Sequence, residues 1–213
     1  MKAATSLRIV SGRDHALTAA QTEQAIAVVC EAFCAKLTPY GVTKKAQRAI
    51  LRESIDTVPA CYALKDEVVV GVLGQTTQHD HFLRFRWRTL WRHLSPIRAL
   101  IGVVVMCIDE PLAQGELRIE PLAVAADCRN HGIGSMLIQH VVVSAPKLGI
   151  TLLALDVVDT NVAAERLYRR WGFHRVRTAR TGWFTQRAGF AAIHRMHRHL
   201  DLAHLSNLEP KEA

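Results

Sequence analysis

The sequence predicts a mixed α/β fold in which helices cover one central sheet. Two observations support this. Apolar residues recur at helical spacing in several segments, and short runs rich in β-branched residues separate those segments. Hydrophobic residues make up 49% of the 213 residues, enough for the core of one sizeable domain or two small ones. No internal repeat or low-complexity linker divides the sequence.

The first part of the chain is predicted to form one strand, two helices and two strands. Thr18 and Thr43 each precede a helical pattern, where a threonine hydroxyl can accept hydrogen bonds from the first N–H groups of the helix. A turn at 65–67 separates the two later strands. In order, the predicted elements are a strand at 7–10, helices at 19–36 and 44–55, and strands at 61–64 and 68–76.

Residues from about 79 to 114 are predicted to form a helical insertion. Several apolar residues there fall on one helical face, and three arginines fall on another. Pro96 then interrupts the pattern, a second apolar segment reaches about residue 108, and a loop follows. The apolar face comprises Leu83, Trp87, Leu90, Trp91 and Leu94, and the arginines are Arg84, Arg88 and Arg92.

The second part of the chain is predicted to alternate strands and helices before two closing strands. The predicted elements are a strand at 117–125, a helix at 132–147, a strand at 151–158, a helix at 161–171, and strands at 173–176 and 191–196. Gly172 is well placed to end the second of these helices. Residues from about 201 to 213 are expected to form a tail.

The chain is basic, with a formal net charge of +8. Nine arginines and no Asp or Glu lie between residues 166 and 200, which indicates an anionic ligand, cofactor or partner, or else a solvated basic face. The N-terminus has no apolar run of signal-peptide length, and the apolar stretch at 99–108 is far shorter than the roughly 20 residues of a membrane span. We therefore expect a cytoplasmic protein without a membrane span. The five cysteines have no disulfide spacing and are expected to be reduced thiols.

One segment runs from the strand at 117–125 into the helix that follows. It reads Leu122-Ala123-Val124-Ala125-Ala126-Asp127-Cys128-Arg129-Asn130-His131-Gly132-Ile133-Gly134-Ser135. Two glycines open the helix, and glycine lets backbone N–H groups approach a phosphate closely. The first N–H groups of a helix lack internal partners and favour negative charge, and Arg129 and His131 can add positive charge. The segment is neither a Walker loop nor a complete dinucleotide-binding fingerprint, and an ordinary helix start is the alternative.

A second motif follows the strand at 151–158. It reads Asn161-Val162-Ala163-Ala164-Glu165-Arg166-Leu167-Tyr168-Arg169-Arg170-Trp171-Gly172-Phe173. Together the two motifs resemble the GCN5-related N-acetyltransferase (GNAT) superfamily, which carries Arg/Gln-x-x-Gly-x-Gly/Ala and, downstream, Asn-x-x-Ala-x-x-Leu-Tyr-x-x-x-Gly-Phe. The matching residues are Arg129, Gly132, Gly134, Asn161, Ala164, Leu167, Tyr168, Gly172 and Phe173. The chain departs from the family pattern at Cys128, Asn130 and His131.

The resemblance implies that residues 1–213 form a single GNAT-like domain, with a mixed, mainly antiparallel sheet and a helical insertion before the cofactor-binding strand. It also implies that acetyl-coenzyme A is the co-substrate, with its pantetheine arm paired to a splayed strand. Pro121 independently fits a bulge or edge there, because proline removes a donor from the strand ladder. The cofactor-binding residues so implied are Leu122, Ala123, Val124, Arg129, Asn130, His131, Gly132, Ile133, Gly134, Ser135, Asn161 and Tyr168.

The resemblance gives Tyr168 the role of the acid near the departing sulfur, with packing against the cofactor or the core as the alternative. Glu120 is the candidate base, because a carboxylate just before the acetyl site can take a proton through a water. Strand alternation puts Glu116, Arg118 and Glu120 on one face, so an ion pair is the alternative role for Glu120. One branch of the family has its base glutamate two residues earlier, where this chain has Arg118. The eleven histidines predict no metal site.

We expect an enzyme that transfers an acetyl group from acetyl-coenzyme A directly to a primary amine of a small molecule or a protein, in a ternary complex. The basic composition favours an acceptor that also carries an anionic group. The insertion is expected to line or cover the acceptor cleft, and a homodimer face, a membrane-surface helix and extra core are the alternatives. The alternative function is a coenzyme A-binding regulatory or assembly module without turnover. No signature of specific nucleic-acid binding occurs in the sequence.

Overall fold

The computed structural model describes residues 6–37, 41–94, 111–180 and 189–201. These residues form seven strands and five α-helices, in the order that the sequence predicts. The strands are β1 (Leu7–Ser11), β2 (Ala60–Lys65), β3 (Val68–Thr76), β4 (Glu116–Val124), β5 (Leu152–Val158), β6 (His174–Arg180) and β7 (Ala192–His199). The helices are α1 (Ala19–Leu37), α2 (Lys44–Ser54), α3 (Trp87–His93), α4 (Ile133–Ser144) and α5 (Val162–Arg170).

The seven strands form one sheet in the order β1-β2-β3-β4-β5-β7-β6. Neighbouring strands are antiparallel except for β4 and β5, which are parallel and are connected through α4. Such a connection is needed because parallel neighbours cannot be joined by a tight turn. The predicted fold, a mixed and mainly antiparallel sheet covered by helices, is confirmed.

Helices pack against both faces of the sheet. On one face, α1 packs against β3 and β4, and its Ala25 and Val29 share a core with Tyr62 and Val72. On the other face, α4 packs across β1 to β4. Its fully buried side chains are Leu137, Ile138 and Val141. Burial of each such aliphatic side chain contributes roughly 1.5–3 kcal/mol to stability, so the two helices hold the β1–β4 part of the sheet from both sides.

Capping side chains set the starts of three helices. Thr18 Oγ1 accepts from the N–H of Gln21, whose side chain accepts in turn from the Thr18 N–H, so α1 begins with a capping box. Thr43 Oγ1 accepts from the Ala46 N–H at α2. Asn161 Oδ1 accepts from the N–H three residues later at α5. Gly172, with a φ of 79°, ends α5 as predicted.

Helix α3 differs from the prediction. It starts only at Trp87, and the residues before it form isolated bridges rather than a helix. Its buried residues are Thr89 and Leu90, which lie against α2, whereas Trp87 and Trp91 are exposed. Because successive helical residues are about 100° apart, the two tryptophans lie roughly 110° and 150° from the centre of the buried side. The tryptophans therefore lie outside the buried side that contains Leu90, and Leu83, which the prediction places on the same helical face, precedes the helix. The second apolar segment of the insertion lies outside the described residues.

The cysteines follow the prediction only in part. Cys61 and Cys128 are buried free thiols, but Cys30 is disulfide-bonded, which contradicts the expectation of reduced thiols for that residue. Burial raises the pKa of the Cys61 thiol to about 12, so this side chain stays neutral in the core. None of the described helices is both long enough and apolar enough to span a bilayer.

Candidate active site

Strands β4 and β5 separate half-way along their length. They pair only from Glu116 to Ile119 of β4. Beyond that point β4 continues to pair with β3, and β5 continues to pair with β7 as far as Val158. The side of β4 that faces β5 therefore has no strand partner at 120–124 among the described residues. Backbone N–H and C=O groups on such an edge can pair with an added extended chain.

A bulge in β4 marks the point of separation. Two residues, Glu120 and Pro121, lie opposite the single residue Gly74 of β3. A Cβ at Gly74 would collide with the Glu120 carbonyl oxygen and the Phe82 ring, so only glycine fits there. A bulge re-aims neighbouring groups and interrupts the ladder, and proline removes one of its donors. The bulge predicted at Pro121 is confirmed.

The loop after β4 leads into a helix start that has no side-chain cap. A short 3-10 turn, Ala126–Cys128, precedes Asn130 and Gly132, whose φ angles are 62° and 79°. Helix α4 then begins, and the Met136 N–H donates to the Gly132 carbonyl. The N–H groups of the first turn point away from the helix, and the helix dipole favours negative charge in front of them. This geometry suits a phosphate group.

The two glycines of the loop have different surroundings. Nothing lies within 4 Å of a Cβ built at Gly132, so its left-handed φ, rather than crowding, favours glycine there. A Cβ at Gly134 would lie 3.3 Å from Leu167 Cδ2 of α5. The start of α4 is thus in close contact with α5, which fixes the loop against the motif at 161–173.

The cationic side chains of the loop lie on its outer side. Arg129 Nε donates to the Val124 carbonyl at 3.0 Å, and Arg129 Nη2 lies 3.6 Å from Glu31 Oε1 of α1. His131 Nδ1 lies 2.8 Å from the Arg129 carbonyl oxygen, so this nitrogen carries the proton. Arg129 is therefore held between the end of β4 and α1, close to the loop, and Glu31 offsets part of its charge.

Tyr168 lies inside the core beside the loop. It is buried in α5, and its ring makes an edge contact with Phe173 at a centroid distance of 5.9 Å. Its hydroxyl makes no hydrogen bond to another described side chain or backbone group. Burial raises the pKa of Tyr168 to about 12, so the hydroxyl is neutral and can donate a hydrogen bond throughout the physiological range.

The face of β4 that carries Glu116 and Arg118 is polar and enclosed. Both residues are buried, and Arg118 Nη2 lies 3.6 Å from Glu116 Oε1. Glu116 Oε2 accepts from the Ala113 N–H at 3.0 Å. Glu120, the candidate base, is exposed at the bulge two residues after Arg118. Glu116 and Arg118 thus pair with each other on the strand face that also carries Glu120, as the predicted alternation requires.

Polar residues on β5 and β7 extend this face. Arg118 of β4 is in register with Ala154 of β5, which is in register with His197 of β7. Asp156 Oδ1 and Oδ2 accept from Arg195 Nε and Nη2 at 2.6 and 2.7 Å. Neither Asp156 nor Arg195 is among the residues predicted from the sequence, although their alternation along the two strands places them on this face. Burial lowers the pKa of His197, which favours its neutral form.

Comparison of the sequence with known protein families identifies the family of this chain. The sequence profile of the Acetyltransferase (GNAT) family matches residues 30–173, about two thirds of the chain. The chain belongs to the GNAT acetyltransferase family. The match contains the separated β4 edge, the loop, α4 and α5, whereas Arg195 and His197 of β7 lie beyond it. The protein is an acyltransferase by family.

Solved structures with the same fold cover nearly the whole chain. A GCN5-related N-acetyltransferase from Kribbella flavida is 18% identical, with a TM-score of 0.59 over 91% of this chain and 98% of its own. Ard1 from Thermoplasma volcanium is 17% identical, with a TM-score of 0.56 over 93% and 99%. The ribosomal-protein-S18-alanine N-acetyltransferase from Escherichia coli is 14% identical, with a TM-score of 0.52 over 98% and 99%. At these identities the likeness shows the GNAT fold alone. No curated protein matches the chain.

The GNAT fold brings most of the predicted site residues to one end of the β4–β5 separation. Leu122, Ala123 and Val124 supply the free edge of β4, and the loop at 129–135 follows directly. Asn161 caps α5, and α5 carries Tyr168. Glu120 lies at the opposite end of the free edge, at the bulge. The roles of these residues in binding and catalysis remain predictions.

A basic groove borders the loop on the side of α1. It runs between α1 and α2, has a volume of about 1160 Å³ and reaches Ala125, where the loop begins. Lys44, Lys45 and Arg48 contribute positive charge to it, whereas Arg52 is paired with Glu23. Within the parts of the chain that the structure describes, no group of three or more His, Cys, Asp or Glu residues is arranged to hold a metal ion.

Proposed function

We propose that this protein transfers an acetyl group from acetyl-coenzyme A to a primary amine. The observation that carries the proposal is the free edge of β4 at 120–124, which leads directly into the uncapped start of α4. An extended chain of amide groups fits the edge, and a pyrophosphate fits the helix start. Together they match the two chemically distinct parts of coenzyme A.

In this proposal the backbone does most of the binding. The free N–H and C=O groups of Leu122, Ala123 and Val124 pair with the pantetheine amides in the manner of an added strand. The N–H groups that follow Gly132 bind the pyrophosphate, and Arg129 lies close enough to contribute charge. The open space around Gly132 supports this assignment because it leaves the front of the helix clear, and the close contact of Gly134 with α5 holds the helix start in place.

The amine must lose a proton before it can attack the thioester. A free alkylammonium group has a pKa of about 10.4, so it is mostly protonated at neutral pH. Glu120 lies at the bulge and is exposed, whereas Glu116 is buried against Arg118. Glu120 is therefore the better-placed carboxylate, and we assign it as the base that takes the proton, directly or through a water.

Tyr168 would act at the departing sulfur. A thiol has an ordinary pKa of about 8.5, well below the value of about 12 that burial gives Tyr168. Complete proton transfer from Tyr168 to the thiolate is therefore uphill. We assign Tyr168 the role of a hydrogen-bond donor that stabilises the thiolate as the carbon–sulfur bond breaks, and solvent supplies the proton afterwards.

The acceptor class follows from charge. On the polar face beside the bulge, Arg118 pairs with Glu116 and Arg195 pairs with Asp156, so the described part of this face offers little uncompensated negative charge for a polycation. The remaining positive charge comes from Lys44, Lys45 and Arg48 in the groove beside the loop. We infer an acceptor in which the amine is accompanied by a carboxylate or phosphate.

The experiment is thiol release from acetyl-coenzyme A over a library of amines, with coenzyme A binding measured separately by calorimetry. We expect turnover with amines that carry an anionic group and little with polyamines. Binding without turnover across the library would favour the alternative function, a coenzyme A-binding module. Absence of coenzyme A binding by the folded protein would contradict both.

A further inference from the structure

We propose that residues 84–91 form a docking surface for an anionic lipid bilayer. The surface, called here the Trp/Arg surface, consists of Arg84, Phe85, Arg86, Trp87, Arg88 and Trp91. It goes beyond acetyl transfer, and its test does not require turnover.

Exposed aromatic side chains are concentrated at this surface. Trp87 is 58% exposed, Trp91 is 46% exposed and Phe85 is 37% exposed. Elsewhere in the described residues the large exposed apolar side chains are aliphatic and occur singly along the chain. Three exposed aromatic rings within seven residues form a patch that water solvates poorly, which is typical of an interaction surface. Tryptophan in particular favours the headgroup region of a bilayer.

The opposite side of α3 holds the patch in place. Leu90 packs with Ile50 of α2, and Thr89 Oγ1 donates to Glu53 Oε2 at 3.0 Å. Arg92 and His93 also contact the Glu53 carboxylate. These contacts lower the pKa of Glu53 and keep it charged. The helix is thus fixed to the domain by one side, and its two tryptophans project away from it.

The charge of the surface is of one sign. The Trp/Arg surface contains three arginines and no Asp or Glu. Arg86 and Arg88 have no ion-pair partner among the described residues, and the Arg88 guanidinium lies 5.4 Å from the centre of the Trp87 ring. Arginine and tryptophan therefore point together into solvent. An anionic bilayer offers both components that match: phosphate groups for the arginines and an interfacial apolar layer for the rings.

Other occupants fit less well. In a two-fold dimer through this surface, arginines would lie against arginines, which is unfavourable. Nucleic acid would satisfy the arginines but offers no interfacial apolar layer to the three exposed rings.

The test is co-sedimentation with vesicles of phosphatidylcholine, with and without roughly one third phosphatidylglycerol, at about 0.1 M salt. We expect binding only to the anionic vesicles, with a blue shift of tryptophan fluorescence. The variant R86Q/R88Q should bind about 25-fold more weakly, because each arginine near an anionic surface contributes about fivefold. The variant W87A/W91A should bind about tenfold more weakly.

Matched controls separate the surface from general charge and exposed apolar area. R166Q/R170Q removes two exposed arginines from α5, and V143A/L148A truncates two exposed aliphatic side chains on the far side of the domain. Both should bind anionic vesicles like the parent protein. All variants alter exposed side chains, and circular dichroism with thermal unfolding verifies that they fold.

Several outcomes would overturn the proposal. These are no binding to anionic vesicles, equal binding to neutral ones, or equal loss of binding in the control variants. Binding to a single-stranded oligonucleotide in preference to vesicles would identify a nucleic-acid surface instead. A change in molecular mass of W87A/W91A in light scattering would identify a contact between two copies of the chain.

Discussion

Helices α3 and α4 both begin without a side-chain cap, yet they differ in what supports them. Helix α4 has twelve residues, and the core encloses its inner side between β1 and β4. Helix α3 has seven residues and rests mainly on one leucine and one threonine. The backbone at the start of α4 is consequently held rigidly by the core, whereas α3 displays exposed side chains from a short helix with few buried residues.

The difference teaches how the two regions can carry function. A site made of backbone N–H groups needs a rigid helix and glycines, and α4 has both. A site made of exposed aromatic and cationic side chains needs only an anchored helix, and its chemistry changes with single substitutions. The following predictions separate the region of α4 and α5 from the region of α3, from the largest expected effect to the smallest.

Replacing Tyr168 with Phe should reduce kcat by about 100-fold, because it removes the donor at the departing sulfur. The affinity for coenzyme A should stay within a few-fold of the parent value, since the ring remains. The pH profile of the parent protein should show no titration of Tyr168 below about pH 11, because burial raises its pKa to about 12. Tyr62→Phe, which removes a buried hydroxyl that donates to the Thr57 carbonyl, should retain kcat. Wild-type turnover by Tyr168→Phe would mean that the thiolate leaves without help from this residue.

Replacing Gly132 with Glu should raise the KM for acetyl-coenzyme A by about tenfold or more, because a negative side chain would lie in front of the α4 start. Gly149→Glu is the matched control. Gly149 also has a positive φ, 74°, and open space around a Cβ, but it ends a different turn. It should suffer the same backbone strain with an unchanged KM. Equal KM values for the two folded variants would remove the loop from the cofactor site.

Replacing Glu165 with Gln should lower the free energy of unfolding at pH 7 by about 1–2 kcal/mol, because hydrogen bonds to a charged group are lost. Glu165 is buried in α5 and accepts from Arg175 and Arg169. The Arg175 hydrogen bonds, with those of Arg169, keep the pKa of Glu165 below its ordinary value. Its contribution is therefore present above about pH 4.5 and is lost as the pH falls through the lowered pKa.

Thermal unfolding between pH 7 and pH 3 measures this difference. The parent protein should lose more stability on acidification than Glu165→Gln does. Glu67→Gln, which breaks an exposed pair with Arg8, should change stability by less than about 1 kcal/mol at either pH. Parallel pH curves for the parent and Glu165→Gln would show that this carboxylate does not contribute to acid sensitivity.

The smallest effect is expected at the tryptophans of α3. Trp87→Ala with Trp91→Ala should change the free energy of unfolding by about 0.5 kcal/mol or less and leave the KM for acetyl-coenzyme A unchanged, because both rings are exposed. Leu90→Ala, one residue away, should cost about 2 kcal/mol because Leu90 is buried. A large loss of stability in the tryptophan variant would mean that the rings pack against the domain.

The elements near the two motifs could be predicted from the sequence because local signals agree there. Thr18 and Thr43 are caps in the structure as predicted, Gly172 ends α5, and Pro121 lies in a bulge. The insertion could not be predicted as well. Which side of α3 is buried depends on its contact with α2, and periodicity alone cannot distinguish an exposed tryptophan from a buried one.

The candidate site shows the same limit. Residues of the loop lie next to one another in the chain, so the sequence reveals them together. Asp156 and Arg195 meet only because β5 and β7 are neighbours in register, and that pairing is a property of the sheet. Likewise, glycine is required at position 74 because a side chain there would collide with the Glu120 carbonyl on the next strand. Such cross-strand relations are visible only after the topology is known.

The separation of β4 from β5 also affects how the free energy of unfolding depends on a bound ligand. Four residue pairs, from Glu116 to Ile119, join the β1–β4 part of the sheet to the β5–β7–β6 part. A cofactor lying along the free edge would act as a further strand at this seam. Occupancy then adds to the free energy of unfolding, by about 2.7 kcal/mol at a hundred times Kd. The resistance of the protein to heat and proteolysis would consequently follow the supply of acetyl-coenzyme A around it.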